Sequence, residues 1–422
     1  MKLRKIKQCM IGLLLFLFIF LQGKGLFAID RLKPAEGFPR KHRVELRDLG
    51  YEFTDLIPAD ESSVTSLVEA PNGDIYGATT GPVCHLFVFS LSSNKVKHLG
   101  EISGHESIHH SLVAAEDGTI YFGTGLNELK QYPISDPLPG HAGIIKALWA
   151  DIEKRYAGYE GGHLYKFDIN KEKRPWIQPQ QQCSAKDLGI GVPHNGIYAM
   201  TINNQRKEIY GVTYPHGHFF VYQIETGKFT DIGQTYEKKI FAGPENRTLR
   251  SLTRALICDN KGFVYGSTDG GMIFRYDPDK KEITKLNVKI PSLYYSVVEA
   301  FVKDESGIIY GGTSEGYLFR FEPEEAKVAN LGKPLAQLRI RGLALGKNDI
   351  IYGLAGERTN HCRLFSYDIS KAEFDDLGIL EVVREPYYSW TGLQFDAMLA
   401  AKDGVIYIGE SERRSHLFLY YP

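Results

Sequence analysis

The sequence predicts an all-β protein, a β-propeller most simply built from seven four-stranded blades. Three observations predict it: a repeated phrase, hairpin chemistry between short strands, and complementary termini. The phrase reads Gly-x-Ile/Val-Tyr-Gly-x-Thr, a gap, Gly-x-Leu-Phe-x-Tyr/Phe-Asp-Pro, a polar turn and Val-x-x-Leu-Gly. Its clearest copies are GFVYGSTDGGMIFRYDPDKKEITKL from Gly262 and GIIYGGTSEGYLFRFEPEEAKVANLG from Gly307. Such a repeat marks a supersecondary unit that must stack on its neighbours to bury its apolar face.

Each copy of the phrase predicts four short strands. The first is an apolar run before a glycine turn, such as Ser66–Ala70 or Arg254–Cys258. The second is the Ile-Tyr-Gly segment, the third the Leu-Phe segment, and the fourth the segment ending in Leu-Gly. Branched and aromatic residues dominate these runs, and Asn-Gly, Asp-Gly and Asp-Pro pairs separate them, which favours hairpins. Four-stranded antiparallel units with a period in the forties are typical of propeller blades.

The number of blades follows from the second-strand tyrosines, which are Tyr76, Tyr121, Tyr210, Tyr265, Tyr310, Tyr352 and Tyr407. Their spacings are 45, 89, 55, 45, 42 and 55, so one interval is too long by about a blade. The second copy lacks its own third strand, and GGHLYKFD, which ends at Asp168, supplies it after an insertion over about 125–158. We therefore predict seven blades. An eighth copy at Arg155–Asp168 stays open as the alternative.

The two termini predict a closed ring. The chain ends on HLFLYYP (His416–Pro422), a third strand with no fourth, whereas HRVELRDLG (His42–Gly50) resembles a fourth strand. We expect the N-terminal segment to complete the last blade, because a ring closed in this way leaves no sheet edge open. The propeller is then one domain over 42–422.

Residues 1–28 predict a signal peptide. A basic stretch, MKLRKIK, precedes the apolar run Cys9–Leu21, and Ala28 offers a small residue for cleavage. The apolar run is short for a membrane-spanning helix. An uncleaved N-terminal anchor is the alternative, and with either one we expect a secreted or periplasmic propeller.

Composition narrows the classes of function. The chain carries 50 basic and 51 acidic residues, and this balance indicates neither nucleic acid nor an anionic membrane surface as a partner. No nucleotide-binding motif is present, so we expect no required cofactor, and we expect a monomer. Two disulfides could form in an oxidising compartment, although no spacing requires them and Cys258 is more typical of a buried thiol. The four cysteines beyond the N-terminal segment are Cys84, Cys183, Cys258 and Cys362.

Candidate functional residues come from the places where the repeats differ. The inner strands of a propeller surround its channel, and their openings converge on one face. The first strands share an apolar interior, but their openings differ and supply His109, His110, His194, Tyr198, Arg254, Tyr294, Arg341 and Asp396. The loop after the second strand of the third blade adds Tyr214 and His218. Taken singly, each histidine is more typical of a satisfied surface or strand-end residue than of a functional site.

These residue types suit β-elimination on a uronic acid polysaccharide. The set has no clustered pair of carboxylates, which argues against ordinary glycoside hydrolysis. Elimination requires the substrate carboxylate to be neutralised, which Arg does with two hydrogen bonds. It also requires a proton acceptor and a proton donor, which His and Tyr can supply.

The repeat, the secretion signal and the His and Tyr at first-strand openings resemble the seven-bladed propeller polysaccharide lyases of the ulvan lyase type. The resemblance implies that Tyr198 is the base and acid, and that His110 is catalytic or neutralises the carboxylate, with His194 assisting. It implies that Arg254 binds the substrate carboxylate. Tyr214 stands where we expect an Arg from that family. The remaining substrate-binding residues that we predict are Tyr214, His109, His218, Tyr294 and Arg341.

Two other classes of function remain open on the sequence. The first is a non-catalytic propeller that binds glycan or protein through the same face. The second is an enzyme that holds a divalent ion, for example with His109, His194 and His218, although sequence spacing neither supports nor excludes such a site. The predicted partner is an acidic polysaccharide or oligosaccharide, and the fold alone does not decide among these classes.

Overall fold

The computed structural model describes residues 30–31, 43–48, 57–93, 95–127, 142–172, 180–236, 252–293, 296–357, 360–384, 388–412 and 414–422. The predicted signal peptide (1–28), the predicted site residue Tyr294 and part of the predicted insertion (128–141) lie outside the described residues.

The described strands form seven four-stranded antiparallel blades, which confirms the predicted seven-bladed propeller. Two N-terminal strands are β1 (Asp30–Arg31) and β2 (Arg43–Asp48). The first blade consists of β3 (Ser63–Glu69), β4 (Ile75–Thr80), β5 (Cys84–Ser90) and β6 (Lys95–Ile102). The second consists of β7 (Leu112–Ala114), β8 (Thr119–Gly123), β9 (His163–Asp168) and β10 (Lys186–Ile190), with helix α1 (Ala142–Ala157) between β8 and β9.

The third to fifth blades follow in order along the chain. The third consists of β11 (Gly196–Asn203), β12 (Glu208–Tyr214), β13 (His218–Gln223) and β14 (Lys228–Gln234). The fourth consists of β15 (Ile257–Cys258), β16 (Val264–Thr268), β17 (Met272–Asp277) and β18 (Glu282–Lys289), with a short 3₁₀ turn at Asp269–Gly271. The fifth consists of β19 (Val298–Lys303), β20 (Ile309–Thr313), β21 (Leu318–Glu322) and β22 (Lys327–Gly332).

The last two blades are separated by a small hairpin. The sixth consists of β23 (Ile340–Leu345), β24 (Ile350–Ala355), β25 (Arg363–Asp368) and β26 (Glu373–Ile379), with a 3₁₀ turn at Lys347–Asp349. The hairpin is β27 (Glu381–Arg384) and β28 (Tyr388–Thr391). The seventh consists of β29 (Phe395–Ala400), β30 (Ile406–Glu410) and β31 (His416–Tyr421), together with β2.

The second blade takes its third strand from beyond α1. Strand β9 pairs antiparallel with β8, with Tyr121 opposite Lys166. The segment HLYKFD therefore belongs to the second blade and is not part of an eighth.

The seventh blade is completed by the N-terminal strand. Strand β2 pairs antiparallel with β31, from Arg43 opposite Tyr421 to Asp48 opposite His416. Because the first and last parts of the chain share one sheet, the ring closes through backbone hydrogen bonds, as the termini predicted.

The repeated phrase reflects a packing constraint within each blade. A Cβ atom added at Gly77 of β4 would lie 2.1 Å from the ring of Phe87 in β5. The same approach occurs between Gly311 and Phe319, at 2.2 Å. The phenylalanine of the third strand lies across the glycine of the second, so Tyr-Gly and Leu-Phe occur together in the repeat.

Two further expectations concern cysteines and the membrane. Cys84, Cys183, Cys258 and Cys362 are free thiols, so no disulfide joins these described cysteines. Within the described ranges, no helix combines the length and apolarity needed to span a membrane.

Candidate functional site

Five of the seven inner strands contain a one-residue β-bulge near their start. In β11, Ile197 pairs with Thr213 and Ala199 pairs with Val212, which leaves Tyr198 without a partner across the ladder. A bulge bends the strand and redirects the side chain of the extra residue. The bulged residues of the five strands are Thr65, Tyr198, Glu299, Arg341 and Asp396.

All five bulged residues line one pocket on the propeller axis, with a volume of about 460 Å³. The two blades without a bulge contribute residues just before their first strands, which are His109 and His110 before β7 and Arg254 before β15. The other lining residues are Arg339 and Gln394. All seven blades therefore supply side chains to one site, which we call the axial pocket.

A small residue follows the pocket residue in every blade, as in Arg341-Gly342 and Tyr198-Ala199. Crowding at the axis accounts for it, because a Cβ atom added at Gly342 would lie 2.8 Å from Cβ of Met398 on the next inner strand. The small residues are Ser66, Ser111, Ala199, Ala255, Ala300, Gly342 and Ala397. A variable residue followed by a small one is thus a sequence signal for the axial pocket.

An ion-pair network links three blades in the pocket. Glu299 is buried and accepts hydrogen bonds from the guanidinium groups of Arg254 and Arg339, with Arg339 Nη2 3.1 Å from Glu299 Oε2. Arg339 Nη1 also lies 2.8 Å from Oε1 of Glu357. Burial alone would raise the pKa of Glu299, but the two guanidinium groups outweigh burial and hold that pKa at about 2. Glu299 is therefore ionised at neutral pH.

A second ion pair joins the sixth and seventh blades. Arg341 Nε lies 2.6 Å from Oδ1 of Asp396, and Gln394 Nε2 lies 3.4 Å from the other oxygen. Burial would raise the pKa of Asp396, yet the Arg341 charge outweighs it and the pKa is lowered. The pocket lining thus holds three arginines and two ionised carboxylates, and Glu357 pairs with Arg339 from outside the lining.

Arg254 is left with an unsatisfied donor. Its Nη1 atom donates to Glu299, but its buried Nη2 atom has no hydrogen-bond partner among the described residues. A buried donor that is left unpaired costs about 1–3 kcal/mol, and more for a charged group. The Nη2 atom is therefore suited to an oxygen of an anionic ligand.

Tyr198 lies against two histidines. Its ring centroid is 5.1 Å from that of His109 and 6.0 Å from that of His110, both in edge-on contacts. Burial raises the pKa of Tyr198 to about 12, so the phenol is protonated at neutral pH. Burial also lowers the pKa of His110, so its imidazole is neutral there. The pocket therefore places a proton donor beside a proton acceptor.

The structure places three of the predicted residues elsewhere. His194 is exposed in the loop before β11, where it has a φ of 56° and its Nδ1 atom lies 2.8 Å from the carbonyl oxygen of Tyr159. Tyr214 is buried in the core, with its ring 5.6 Å from that of Tyr156 in α1. His218 lies at the start of the third strand of its blade, and neither it, His194 nor Tyr214 lines the axial pocket.

His218 belongs to an arrangement that repeats around the propeller. Its Nδ1 atom lies 2.9 Å from Oδ2 of Asp231 in the fourth strand, and Asp231 Oδ1 accepts the N–H of Gly233. Such a pair, which we call an outer latch, joins the start of the third strand to the fourth strand in three blades. The three outer latches are His163–Asp187, His218–Asp231 and Arg363–Asp376. The arrangement repeats with either His or Arg beside the Asp, which indicates a structural role.

The metal-site hypothesis finds no support in the arrangement of these histidines. Across the described part of the chain, no three His, Cys, Asp or Glu side chains are grouped so that they could hold a metal ion. His109 lines the axial pocket, whereas His218 is paired in an outer latch.

Four lining residues were not predicted from the sequence, and they are Glu299, Arg339, Gln394 and Thr65. At two strand openings the prediction took Arg341 and Asp396 but not the nearby Arg339 and Gln394. The bulge position and the small residue after it would have selected Glu299 and Thr65.

Comparison with known proteins identifies the fold. No protein family model matches the sequence, and no curated protein sequence matches it. A streptogramin B lyase structure is similar, with a TM-score of 0.60, 10% identity, and coverage of 89% of this chain and 96% of that one. Virginiamycin B lyase from Staphylococcus aureus has a TM-score of 0.60 at 9% identity, covering 90% of this chain and 100% of that one.

A second kind of similar structure is described as the extracellular domain of a one-component system from B. thetaiotaomicron. Its TM-score is 0.54 at 15% identity, and the match covers 90% of this chain and 40% of that one. At these identities the likeness shows the propeller fold and leaves the activity to be argued from the axial pocket.

Proposed function

We propose that this protein is a lyase that works outside the cytoplasm and cleaves uronic-acid-containing glycan by β-elimination in the axial pocket. The observation that carries the proposal is the unsatisfied, buried Nη2 of Arg254 in the same pocket as a protonated Tyr198 and a neutral His110.

Arg254 would bind the uronate carboxylate. Because Glu299 fixes one side of its guanidinium, the free Nη2 is held in place to donate a hydrogen bond to an anionic oxygen. Charge-assisted hydrogen bonds of this kind are roughly twice as strong as neutral ones. Neutralising the carboxylate also makes the neighbouring carbon–hydrogen bond more acidic, which is the requirement for elimination.

The proton transfers divide between two side chains. The sequence analysis gave Tyr198 both roles, but a pKa of about 12 makes it a proton donor that is almost never a phenolate at neutral pH. Neutral His110 is the better acceptor for the proton on carbon 5 of the uronate. In the proposed reaction the carbon 4–oxygen bond then breaks, and the leaving oxygen takes the proton of Tyr198. His194 has no part in it, since it is exposed in a loop outside the pocket.

The similar solved structures give general support to the proposed lyase function. Similar structures include lyases, among them a catalytically inactive histidine-to-alanine variant of virginiamycin B lyase whose crystal structure is with quinupristin (TM-score 0.58, 10% identity). The extracellular domain from B. thetaiotaomicron is in keeping with a location outside the cytoplasm. The ulvan-lyase-like substrate class of our proposal rests on the pocket residues and on the sequence resemblance.

A glycan-binding propeller is the second candidate. Glu299 and Asp396 hold the pocket arginines in fixed ion pairs, which is also how a rigid receptor for an anionic sugar is built. Such a receptor would need Arg254 but would not need proton transfer by Tyr198.

Ultraviolet absorbance distinguishes the two candidates. The purified protein is offered a panel of uronate polysaccharides, and β-elimination is followed through the absorbing unsaturated uronate that it leaves. We expect turnover on at least one substrate, its loss in Tyr198→Phe, and its retention in Tyr352→Phe, which removes a buried tyrosine hydroxyl from the core of the sixth blade. A folded protein that binds a uronate polymer without producing absorbance would instead establish the binding function.

A further inference from the structure

The reactive groups of the axial pocket lie well below the protein surface. Tyr198 and Glu299 are each 4% exposed, and Arg254 is 2% exposed. Side chains from all seven blades surround the pocket, so it has no open side along which an extended chain could lie. A ligand can therefore reach these groups only along the propeller axis.

The ion pairs form a large part of the lining of the axial pocket. Arg254, Glu299 and Arg339 form a connected chain across the fourth, fifth and sixth blades, and Arg341 and Asp396 continue it into the seventh.

This enclosure discriminates between the ends and the interior of a polysaccharide. A sugar in the interior has a neighbour on both sides, and lowering it onto Arg254 and His110 would force both neighbours into the ring of side chains. A terminal sugar has one neighbour, which can extend outward along the axis. The geometry therefore favours a chain end.

We infer, on the basis of the proposed function, that the axial pocket accepts only the reducing-terminal uronate of a chain, so the enzyme releases single sugars and prefers oligosaccharides. The chemistry of the elimination decides that the reducing end of the chain enters the pocket. The sugar whose carboxylate binds Arg254 is also the one that loses the proton from carbon 5 and whose bond from carbon 4 to oxygen breaks. If that sugar is the innermost one in the axial pocket, nothing is attached to its carbon 1.

The reaction balances without an added oxidant or reductant. The carbon 5 proton passes to His110, its electron pair forms the carbon 4–carbon 5 double bond, and the bonding pair of carbon 4–oxygen leaves with the oxygen. That oxygen takes the Tyr198 proton, and proton exchange between His110 and water restores the site. The products are one unsaturated monosaccharide and a chain one sugar shorter with a new reducing end.

Product sizes over time test this inference. A uronate tetramer of the active polysaccharide is incubated with the full-length mature protein, and products are separated by size from the first minutes. We expect unsaturated monosaccharide and trimer first, then dimer. Converting the reducing end to a bulky glycoside should slow turnover by about 100-fold or more, since a misplacement of about 1 Å at the reacting atoms costs that much.

The outcomes separate this inference from the proposed function. Unsaturated dimers as the first products, a rapid fall in polymer viscosity, or equal turnover of the blocked tetramer would overturn end-on binding and leave the lyase function standing. If neither tetramer gives any unsaturated product, the proposed function is wrong and the inference falls with it. A glycoside at the non-reducing end is the matched control, and it should be cleaved at the ordinary rate.

Discussion

The axial pocket and the outer latches both consist of charged and imidazole side chains at equivalent places in several blades, but they differ in what repeats. In the outer latches the side-chain chemistry repeats: a His or Arg at the start of the third strand pairs with an Asp of the fourth in blades two, three and six. In the axial pocket only the backbone repeats, since five bulges carry five different residues. Repeated side chains indicate a role in the fold, and different side chains on a repeated backbone position indicate a ligand site.

Burial separates the two regions as well. The Arg254 and Glu299 side chains of the pocket are each 3% exposed, whereas His218 and Asp231 of an outer latch are 27% and 40% exposed. An ion pair in water is worth little because solvent screens it, but a charge left alone in the interior is costly. The same kind of contact should therefore have very different consequences when it is broken.

The largest difference is expected in turnover. His110→Ala removes the proposed proton acceptor and should lower kcat by about 10²–10⁴-fold, the usual contribution of general acid–base catalysis. His218→Ala, the control in an outer latch, should leave kcat unchanged. Initial rates on the active polysaccharide, with circular dichroism to verify folding, make the measurement. Comparable losses in both variants would contradict the distinction between the two regions.

The next effect concerns stability. Glu299→Gln keeps the shape of the side chain but leaves Arg254 and Arg339 without their buried counter-charge. Breaking a buried pair in this way costs about 3–5 kcal/mol, so the free energy of unfolding in urea should fall by that amount. A loss below about 1 kcal/mol would mean that the pair is solvated like a surface contact.

A smaller effect is expected from the buried His105, which contacts the half-exposed latch residue His163. His105 lies between the hydroxyls of Tyr159 and Tyr165, and burial is the main cause that lowers its pKa to about 4. Since the unfolded chain binds the proton more readily, the stability from this group is full above pH 6.5 and is lost as the pH falls towards 4.

By about pH 5 the loss attributable to His105 should reach about 2 kcal/mol, because one pKa unit corresponds to 1.36 kcal/mol. Urea unfolding at neutral and acidic pH measures it. His105→Gln, which keeps a hydrogen-bonding side chain but does not titrate, should reduce the pH dependence by that amount. An unchanged pH dependence would show that His105 has the same pKa in the folded and the unfolded protein.

The smallest effect is expected at the outer latches. Asp231→Asn removes the charge of one latch but keeps an oxygen for the Gly233 N–H. We expect a loss of about 0.2–1 kcal/mol in the free energy of unfolding, as for other exposed ion pairs, and no change in turnover. A loss as large as that for Glu299→Gln would remove the energetic contrast between the two regions.

Much of this molecule was predictable from its sequence, because the repeat records both strand order and packing. The Tyr-Gly and Leu-Phe pairs gave the blades, and the orphan strand near His42 gave the closure of the ring. The openings of the first strands supplied His109, His110, Tyr198, Arg254 and Arg341, which the structure brings together in the axial pocket.

The remaining site assignments could not be made from the sequence, and each has a physical reason. His218 occurs at a strand start like the pocket residues, and only its pairing with Asp231 distinguishes it. Tyr214 follows the alternation of a core strand and packs against α1, whose position the repeat does not encode. Glu299 was missed because a bulge is a property of backbone pairing, and it appears in the sequence only through the small residue that follows.

The bulges also bear on how such a protein can change. A bulged residue has no partner across the strand ladder, so exchanging it alters no strand register, and the small residue behind it keeps the room at the axis. The propeller therefore separates the positions that specify its architecture from those that specify its ligand. New selectivity can be introduced one blade at a time, by point substitution on an unaltered scaffold, provided that each buried charge is replaced together with its partner.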